Sequence, residues 1–492
     1  MFSWRQFWVS FIYENLPPIL FSPLAAILIE RRFSRAWNVC QHRNLLALST
    51  QHNPWSFIIF SWLIVYPGSW LITVGMFLAI FTPQEMIAEI DPLQMLCAYA
   101  FLFCRRIIVC VKYGHFDKAD FSALSQPAPK WTWNKSTQKL IAVGWGKPKQ
   151  FPGLIKAELA LAESMAGVAL APLQLSKDAG TARNLEDATL DILDSAYGKE
   201  LPKQTNLVIL ASVLLILISF IVTKHLTGVP LLGHTVASTL INLGTYAAIL
   251  SGMGIMGFGL MCALDFSRRK MALELLDAGL FNTQESGQRV NEDLKTVFDA
   301  MSPNDLRCWV AVREVLRKFG ERYYLRVQSY TSILLCFSFL CVAFLNFLAW
   351  TGTEHHISTV VLLASNIVVI ATIGSVAMRS AILLQDQSQK SRSQLLANIL
   401  STELDEAEHA GYRSDKATAT ATAPNTSKIF RQIDTNLNFS ELIFRPTTVL
   451  GYKADSDLIT SVIGLLITGC LLAIQGFAET GFVYSGTGWL LN

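Results

Sequence analysis

Seven apolar stretches divide this chain, at 55–81, 92–111, 207–222, 236–263, 332–350, 358–378 and 458–477. Most approach or exceed the about 20 residues that a helix needs to cross a bilayer. The basic residues between them are distributed one-sidedly. Segments 1–53, 105–205, 265–328 and 385–456 contain 5, 14, 11 and 8 Lys+Arg, which is 38 of the 40 in the chain. Cytoplasmic loops collect Lys and Arg, so the alternation puts these four segments in the cytoplasm. The expected fold is all-α, a polytopic membrane helix bundle of seven spans with cytoplasmic helical extensions, its N-terminus inside and its C-terminus outside. Of the two remaining bases, Arg379 ends the sixth span and Lys224 is read as part of an outer connection.

Composition agrees. Apolar residues make up 52% of the chain and charged residues 16%, against about 25% charged in soluble proteins. The net charge of +3, with acids mixed among the bases, argues against a nucleic-acid partner. Nine cysteines occur without a CxxC pair. Cys97, Cys104, Cys336, Cys341 and Cys470 lie in apolar stretches as small hydrophobes, so neither a disulfide framework nor a metal site is expected. No GxxxxGK[ST], HExxH, GxSxG or kinase motif set is present, which argues against an enzyme and against a bound cofactor. His225, His234, His355 and His356 on the outer side, and His115 near Asp117 and Asp120, are read as solvated loop residues rather than pH sensors, metal ligands or catalytic pairs.

The first segment, 1–53, includes an apolar stretch at 7–29 that Glu14, Asn15, Pro17, Pro18 and Pro23 interrupt. It is read as a re-entrant or interfacial segment with Trp4 and Trp8 at the headgroup level. The alternative, an eighth span, would move the N-terminus outside. Segment 54–112 holds spans one and two, with a kink expected at Pro67-Gly68 and Arg105 and Arg106 expected to snorkel to the inner headgroups. Segment 113–205 is cytoplasmic, with helices expected at 154–173 and 184–196, and 206–264 holds spans three and four. In 265–328, Ser302-Pro303-Asn304-Asp305 reads as an N-cap, Pro at the first helical position and an acid at the third. A single helix is expected from there into span five, with Gly320 as its weak point. Spans five and six occupy 329–384. Segment 385–456 begins as a helix and passes into the Lys416–Pro424 Ala/Thr repeat, read as a disordered linker. Residues 457–492 hold span seven and an outer tail. Sequons at Asn134, Asn425 and Asn438 all fall on the inner side and should be unmodified.

Within the spans, Asn242, Asn346, Asn366 and Gln475 are expected to face either the bundle interior or a water path, with hydrogen bonding between helices the favoured reading. Gly244, Ala248 and Gly252, then Gly254, Gly257 and Gly259, provide small faces for close helix packing. No acid or base stands at the centre of a span, which weighs against a proton-coupled transporter or voltage sensor.

This topology resembles the gustatory-receptor-like superfamily, which includes the insect chemoreceptors. The stretch at 7–29 resembles the short re-entrant segment before that family's first span. The helix from Pro303 into span five resembles its cytoplasmic anchor. Thr468-Gly-Cys-Leu-Leu-Ala-Ile-Gln475-Gly-Phe477 keeps the Thr, the apolar run and the Gln of the family's last-span motif, with Gly469 in place of its Tyr and the Phe one residue later. The resemblance implies a homo-oligomer in which Thr468 and Gln475 line the pore or its coupling interface, gated by a small-molecule ligand. The expectation is therefore a multi-pass protein of the plasma membrane or an endomembrane acting as a chemoreceptor-like, ligand-gated cation channel. The alternative is a non-conducting scaffold or trafficking factor whose cytoplasmic helices recruit protein partners.

Overall fold

The computed structural model describes residues 3–5, 7–8, 11–12, 66–81, 90–114, 131–134, 139–142, 152–175, 184–197, 203–281, 298, 302–351, 356–412, 431–435, 448–449, 451–453 and 455–480. Its main helices are α1 (Tyr66–Ala79), α2 (Pro92–Gly114), α3 (Pro152–Ala166), α4 (Leu185–Tyr197), α5 (Lys203–Leu226), α6 (Val236–Phe281), α7 (Pro303–Lys318), α8 (Glu321–Thr351), α9 (Ile357–Tyr412) and α10 (Ser456–Glu479). Two small antiparallel hairpins accompany them, β1 (Trp131–Asn134) with β2 (Lys139–Ala142) and β3 (Thr448–Val449) with β4 (Tyr452–Lys453).

Among the described residues, five helices are long and apolar enough to cross a membrane, over Val208–Leu226, Val236–Leu280, Val327–Thr351, Ile357–Ala397 and Ser456–Glu479. The protein is an all-α bundle of the integral-membrane kind. α1 is a shorter apolar helix of 14 residues, and the 55–65 part of the expected first span lies outside the described residues. α2 is helical over 23 residues but, with Arg105, Arg106 and Lys112, is not among the five. The exposed faces suit lipid better than water. On α5, for example, Leu210, Leu214, Leu215, Ile218 and Val222 all point away from the protein, a face that aqueous solvent would penalise.

Two hydrophobic cores stack along the helices. The first gathers Phe101 of α2, Ile216 and Phe220 of α5, Met256 and Phe266 of α6, Leu334 and Leu335 of α8, Ile370 and Ile373 of α9, and Leu466 of α10. The second joins Leu159 of α3, Leu193 of α4, Leu276 of α6, Trp309 and Val312 of α7, and Leu395 of α9. α6 and α9 contribute to both. They have 46 and 56 residues, hence about 69 and 84 Å at 1.5 Å per residue, far more than the about 30 Å of hydrocarbon in a bilayer. Their first halves pack in the bundle and their second halves stand beyond it, at the end where the long connections lie.

Small residues set the closest approaches. A Cβ at Gly68 of α1 would stand 2.7 Å from the Ala247 Cβ, and one at Gly75 would stand 2.6 Å from Ile241 Cγ1, so α1 and α6 touch nearly backbone to backbone. Gly244 meets Ile72 from the other side of that contact, and Gly259 meets Ile373 of α9. Of the expected small face, a Cβ at Gly257 would meet nothing within 4 Å, so this glycine sets no close approach.

The helix expected to run unbroken from Pro303 into the fifth span is divided. Ser302 caps α7 as expected, accepting from the Asp305 N–H. At Gly320 the backbone turns left-handed, φ +60, which glycine adopts without the Cβ penalty. Arg269 of α6 holds the break. Its Nη1 donates to the Phe319 carbonyl at 2.9 Å and Nη2 to the Gly320 carbonyl at 3.0 Å. The same guanidinium pairs with Asp265 at 2.8 Å and stacks 4.7 Å from the Tyr324 ring. Two carbonyls that a continuing helix would satisfy itself are thus taken by a side chain from elsewhere. The helix expected over 154–173 also ends early, at Ala166, where Gly167 has φ +67 and the Glu163 carboxylate accepts from the Leu170 N–H at 2.9 Å.

At the N-terminus, Ser3 N donates to the Gly114 carbonyl at 2.7 Å, and Phe11 meets Phe103 edge-on at 5.8 Å. The described residues from Ser3 to Phe11 therefore run antiparallel to the last part of α2, about 16 Å of helix from Gly114 back to Phe103. Trp4 and Trp8 are exposed. The rest of the apolar stretch at 7–29, and the Ala/Thr linker at 416–424, lie outside the described residues.

Candidate functional site

α10 is capped by Asp455, whose carboxylate accepts from Leu458 N at 2.9 Å. The helix packs against α8 along one face only, burying Val462, Leu466, Ala473 and Gly476. That face is held by close contact and by a hydrogen bond. A Cβ at Gly469 would overlap Val342, and one at Gly476 would lie 2.8 Å from Trp350 Nε1. Asn346 of α8 donates Nδ2 to the Gly469 carbonyl at 2.8 Å. The position where the resembled family has Tyr is thus the tightest point of the α8–α10 seam.

Thr468 and Gln475 stand on the opposite, exposed face. They belong to a longer pattern. Asp457, Ser461, Gly464, Thr468, Leu471, Gln475 and Glu479 are all exposed, and steps of three and four residues keep them within about 80° of arc on an α-helix. Six of the seven are polar or lack a side chain. Gln475 Nε2 donates to Glu479 Oε1 at 2.7 Å. A polar stripe along an apolar helix is costly against hydrocarbon and marks a face meant for water or protein.

A second polar group is sealed within the bundle, near the end where the short connections lie. Asn242 of α6 is fully buried. Its Oδ1 accepts from Gln94 Nε2 of α2 at 2.9 Å and from Lys224 Nζ of α5 at 2.5 Å, while Nδ2 donates to the Leu232 carbonyl at 3.2 Å. Gln94 also donates to Thr245 Oγ1 at 3.1 Å. This corrects the placement of Lys224. It is not in an outer connection but in the last turn of α5, completely buried, with its ammonium 5.4 Å from the Phe220 ring centroid. Beside the group, Asp91 accepts from Leu93 N at 2.9 Å and from His356 N at 3.0 Å, so one carboxylate caps α2 and holds the start of α9.

The snorkelling expected of Arg106 is also overturned. Its side chain is buried and Nη2 donates to Ser69 Oγ of α1 at 2.7 Å; one turn on, Thr73 of α1 bonds Tyr99 of α2 at 2.5 Å. The α1–α2 pair therefore buries the Arg106 cation rather than sending it to the headgroups. Of the three expected intramembrane asparagines, Asn242 and Asn346 bridge helices, whereas Asn366 of α9 is 1% exposed with neither amide atom hydrogen-bonded. Among the described residues no group of three or more His, Cys, Asp or Glu is gathered as a metal ion would require. No protein-family model matches the chain, and no curated protein matches it.

Proposed function

We propose that the chain crosses the membrane seven times, with its N-terminus in the cytoplasm and its C-terminus outside, and that copies of it assemble around α10 as a ligand-gated cation channel of the gustatory-receptor-like kind. The observation that carries this reading is the polar stripe of α10, which includes Thr468 and Gln475 and lies opposite the face packed on α8. In a ring of copies that stripe would line a central water path. Asp457 and Glu479 at its two ends would place acidic rings at both mouths, the arrangement that favours cations. Gly469 and Asn346 would then tie each pore helix to its own bundle, through which ligand binding would shift it.

The test pairs recording from the purified protein in planar bilayers, across a broad ligand panel, with native mass spectrometry of its assembly. Cation currents from an oligomer are expected. Thr468→Leu with Gln475→Leu should abolish current and leave the melting temperature of the protomer unchanged, because both side chains are exposed. A monomer that stays silent overturns the reading. Epitope tags at both ends, probed before and after permeabilisation, check the odd number of crossings independently.

A second reading has its own support. The core around Trp309 draws on the second halves of α6 and α9, more than a bilayer's hydrocarbon thickness from their starts. A non-conducting scaffold that recruits cytoplasmic proteins on this layer would need such a body. Capture of the same partner by silent full-length protein and by the Thr468→Leu/Gln475→Leu variant would favour it.

A further inference from the structure

The buried side of α9 has polar groups that the closed bundle does not use. Neither Nδ2 nor Oδ1 of Asn366 has a hydrogen-bond partner, and the hydroxyls of Ser358 and Thr359, both fully buried, have none either. Asn366 sits among Leu362, Leu363, Ile367 and Ile370, all in the main core. Thr359 is seven residues earlier, two turns away on the same helix face. Against α5, the Ser365 and Ser219 hydroxyls are 3.4 Å apart, a further polar pair on the same stretch of helix. Amides and hydroxyls that have lost water and gained no partner are held at a free-energy cost. A leucine would suit this closed packing better than Asn366 does. The run therefore fits a second arrangement, in which the same surface is wet.

The contacts show where such an arrangement would begin and end. The start of α9 is held to the cap of α2 through the bond from His356 N to Asp91 Oδ2, 3.0 Å, a latch at the edge of the seam. Deeper down, a Cβ on Gly259 would overlap Ile373, and α6 and α9 are locked together. We propose that the first three turns of α9 part from the bundle when His356 leaves Asp91. The opened seam then admits small uncharged molecules able to donate and accept hydrogen bonds, with Asn366 as its floor and the Ile373–Gly259 contact as its permanent seal. The proposal does not depend on the pore, so a silent, monomeric protein would leave it standing.

The experiment uses full-length protein in liposomes, with N-ethylmaleimide as the probe and modification read by mass spectrometry on the peptide spanning the position, so that native cysteines do not interfere. Asn366→Cys is expected to label at least about tenfold faster than Ile370→Cys, which lies one turn below in the same core, since only the former is reached by local opening. Asp91→Ala should accelerate the Asn366→Cys reaction further and leave Ile370→Cys inert. Thr359→Cys provides the same readout nearer the latch if Asn366→Cys does not fold. Asn366→Leu, which removes the unsatisfied amide, should melt above wild type. Equal inertness of the Asn366→Cys and Thr359→Cys variants to Ile370→Cys, with and without Asp91→Ala, overturns the proposal, and so does an Asn366→Leu protein that melts below wild type.

Discussion

Arg313→Met tests what holds the second core to the long helices. Arg313 of α7 and Asp277 of α6 form an ion pair at 3.5 Å with side chains 2% and 4% exposed. Arg313 Nη2 also donates to Ser388 Oγ of α9 at 3.3 Å, and its guanidinium lies 5.2 Å from the Trp309 ring centroid. Asp277 Oδ2 accepts from Gln387 Nε2 at 3.0 Å and from the Ser391 hydroxyl. Methionine keeps most of the arginine's volume and removes its charge, leaving the carboxylate buried against two neutral donors. Breaking such a pair from one side costs about 3–5 kcal/mol. The two remaining hydrogen bonds argue for the lower end, about 3 kcal/mol, or roughly 150-fold more opening of this layer. Cys308 reports that opening. Its thiol is buried in the same core and is pushed up to about 11, first by burial and then by the Asp305 carboxylate, so it is un-ionised and shielded until the layer opens. The expected outcome is Cys308 labelling accelerated by about two orders of magnitude, together with a lower melting temperature. Arg313→Met/Asp277→Leu should recover most of the loss, because no buried charge is then left uncompensated. Wild-type labelling and melting in Arg313→Met, or a double variant weaker than the single one, would refute this account of the ion pair.

Gly320→Ala should cost about 1–2 kcal/mol for the left-handed backbone, with the new methyl also 3.1 Å from Arg269 Nη2; chemical denaturation read by Cys308 exposure measures it. Gly469→Val should force α10 off α8 at Val342 and break the Asn346 bond, seen as new protease cleavage at the ends of α10 while the Cys308 core stays protected. Asn242→Leu removes the acceptor shared by Lys224 and Gln94 and should lower stability by about 1–3 kcal/mol in a thermal melt, whereas Asn346→Leu should act mainly on α10.

What was legible in the sequence was what is written locally. The cap at Ser302 needs only its own next three residues, and the apolar lengths of α5, α6, α8, α9 and α10 need only composition. The break at Gly320 was visible as a weak point, but its outcome depends on Arg269, some fifty residues away, reaching two carbonyls. Lys224 looked like a loop residue beside Thr223 and His225. Its burial depends on Asn242 and Phe220, which no short window connects to it. The β1–β2 hairpin, in which Trp131 and Trp133 pair with Ala142 and Leu140, has strands of four residues, too short for an alternating pattern to mark them in the sequence. Thr468 and Gln475 were singled out from the resemblance. The feature that distinguishes them, a polar line from Asp457 to Glu479 facing away from the bundle, emerges only once the packed side of α10 is known.

The length of α6 and α9 has a mechanical consequence. Each is an unbroken rod, held to the other in the bundle at the Ile373–Gly259 contact and carried on into the Trp309 layer. A tilt of about 5° around the midpoint of α6 would carry either end through ~3 Å, more than half the rise of a helical turn. A disturbance near Asn242 is thus delivered to the Asp277–Arg313 pair as a displacement, with no loop in between to absorb it, and a push on the Trp309 layer from the far side returns along the same shaft.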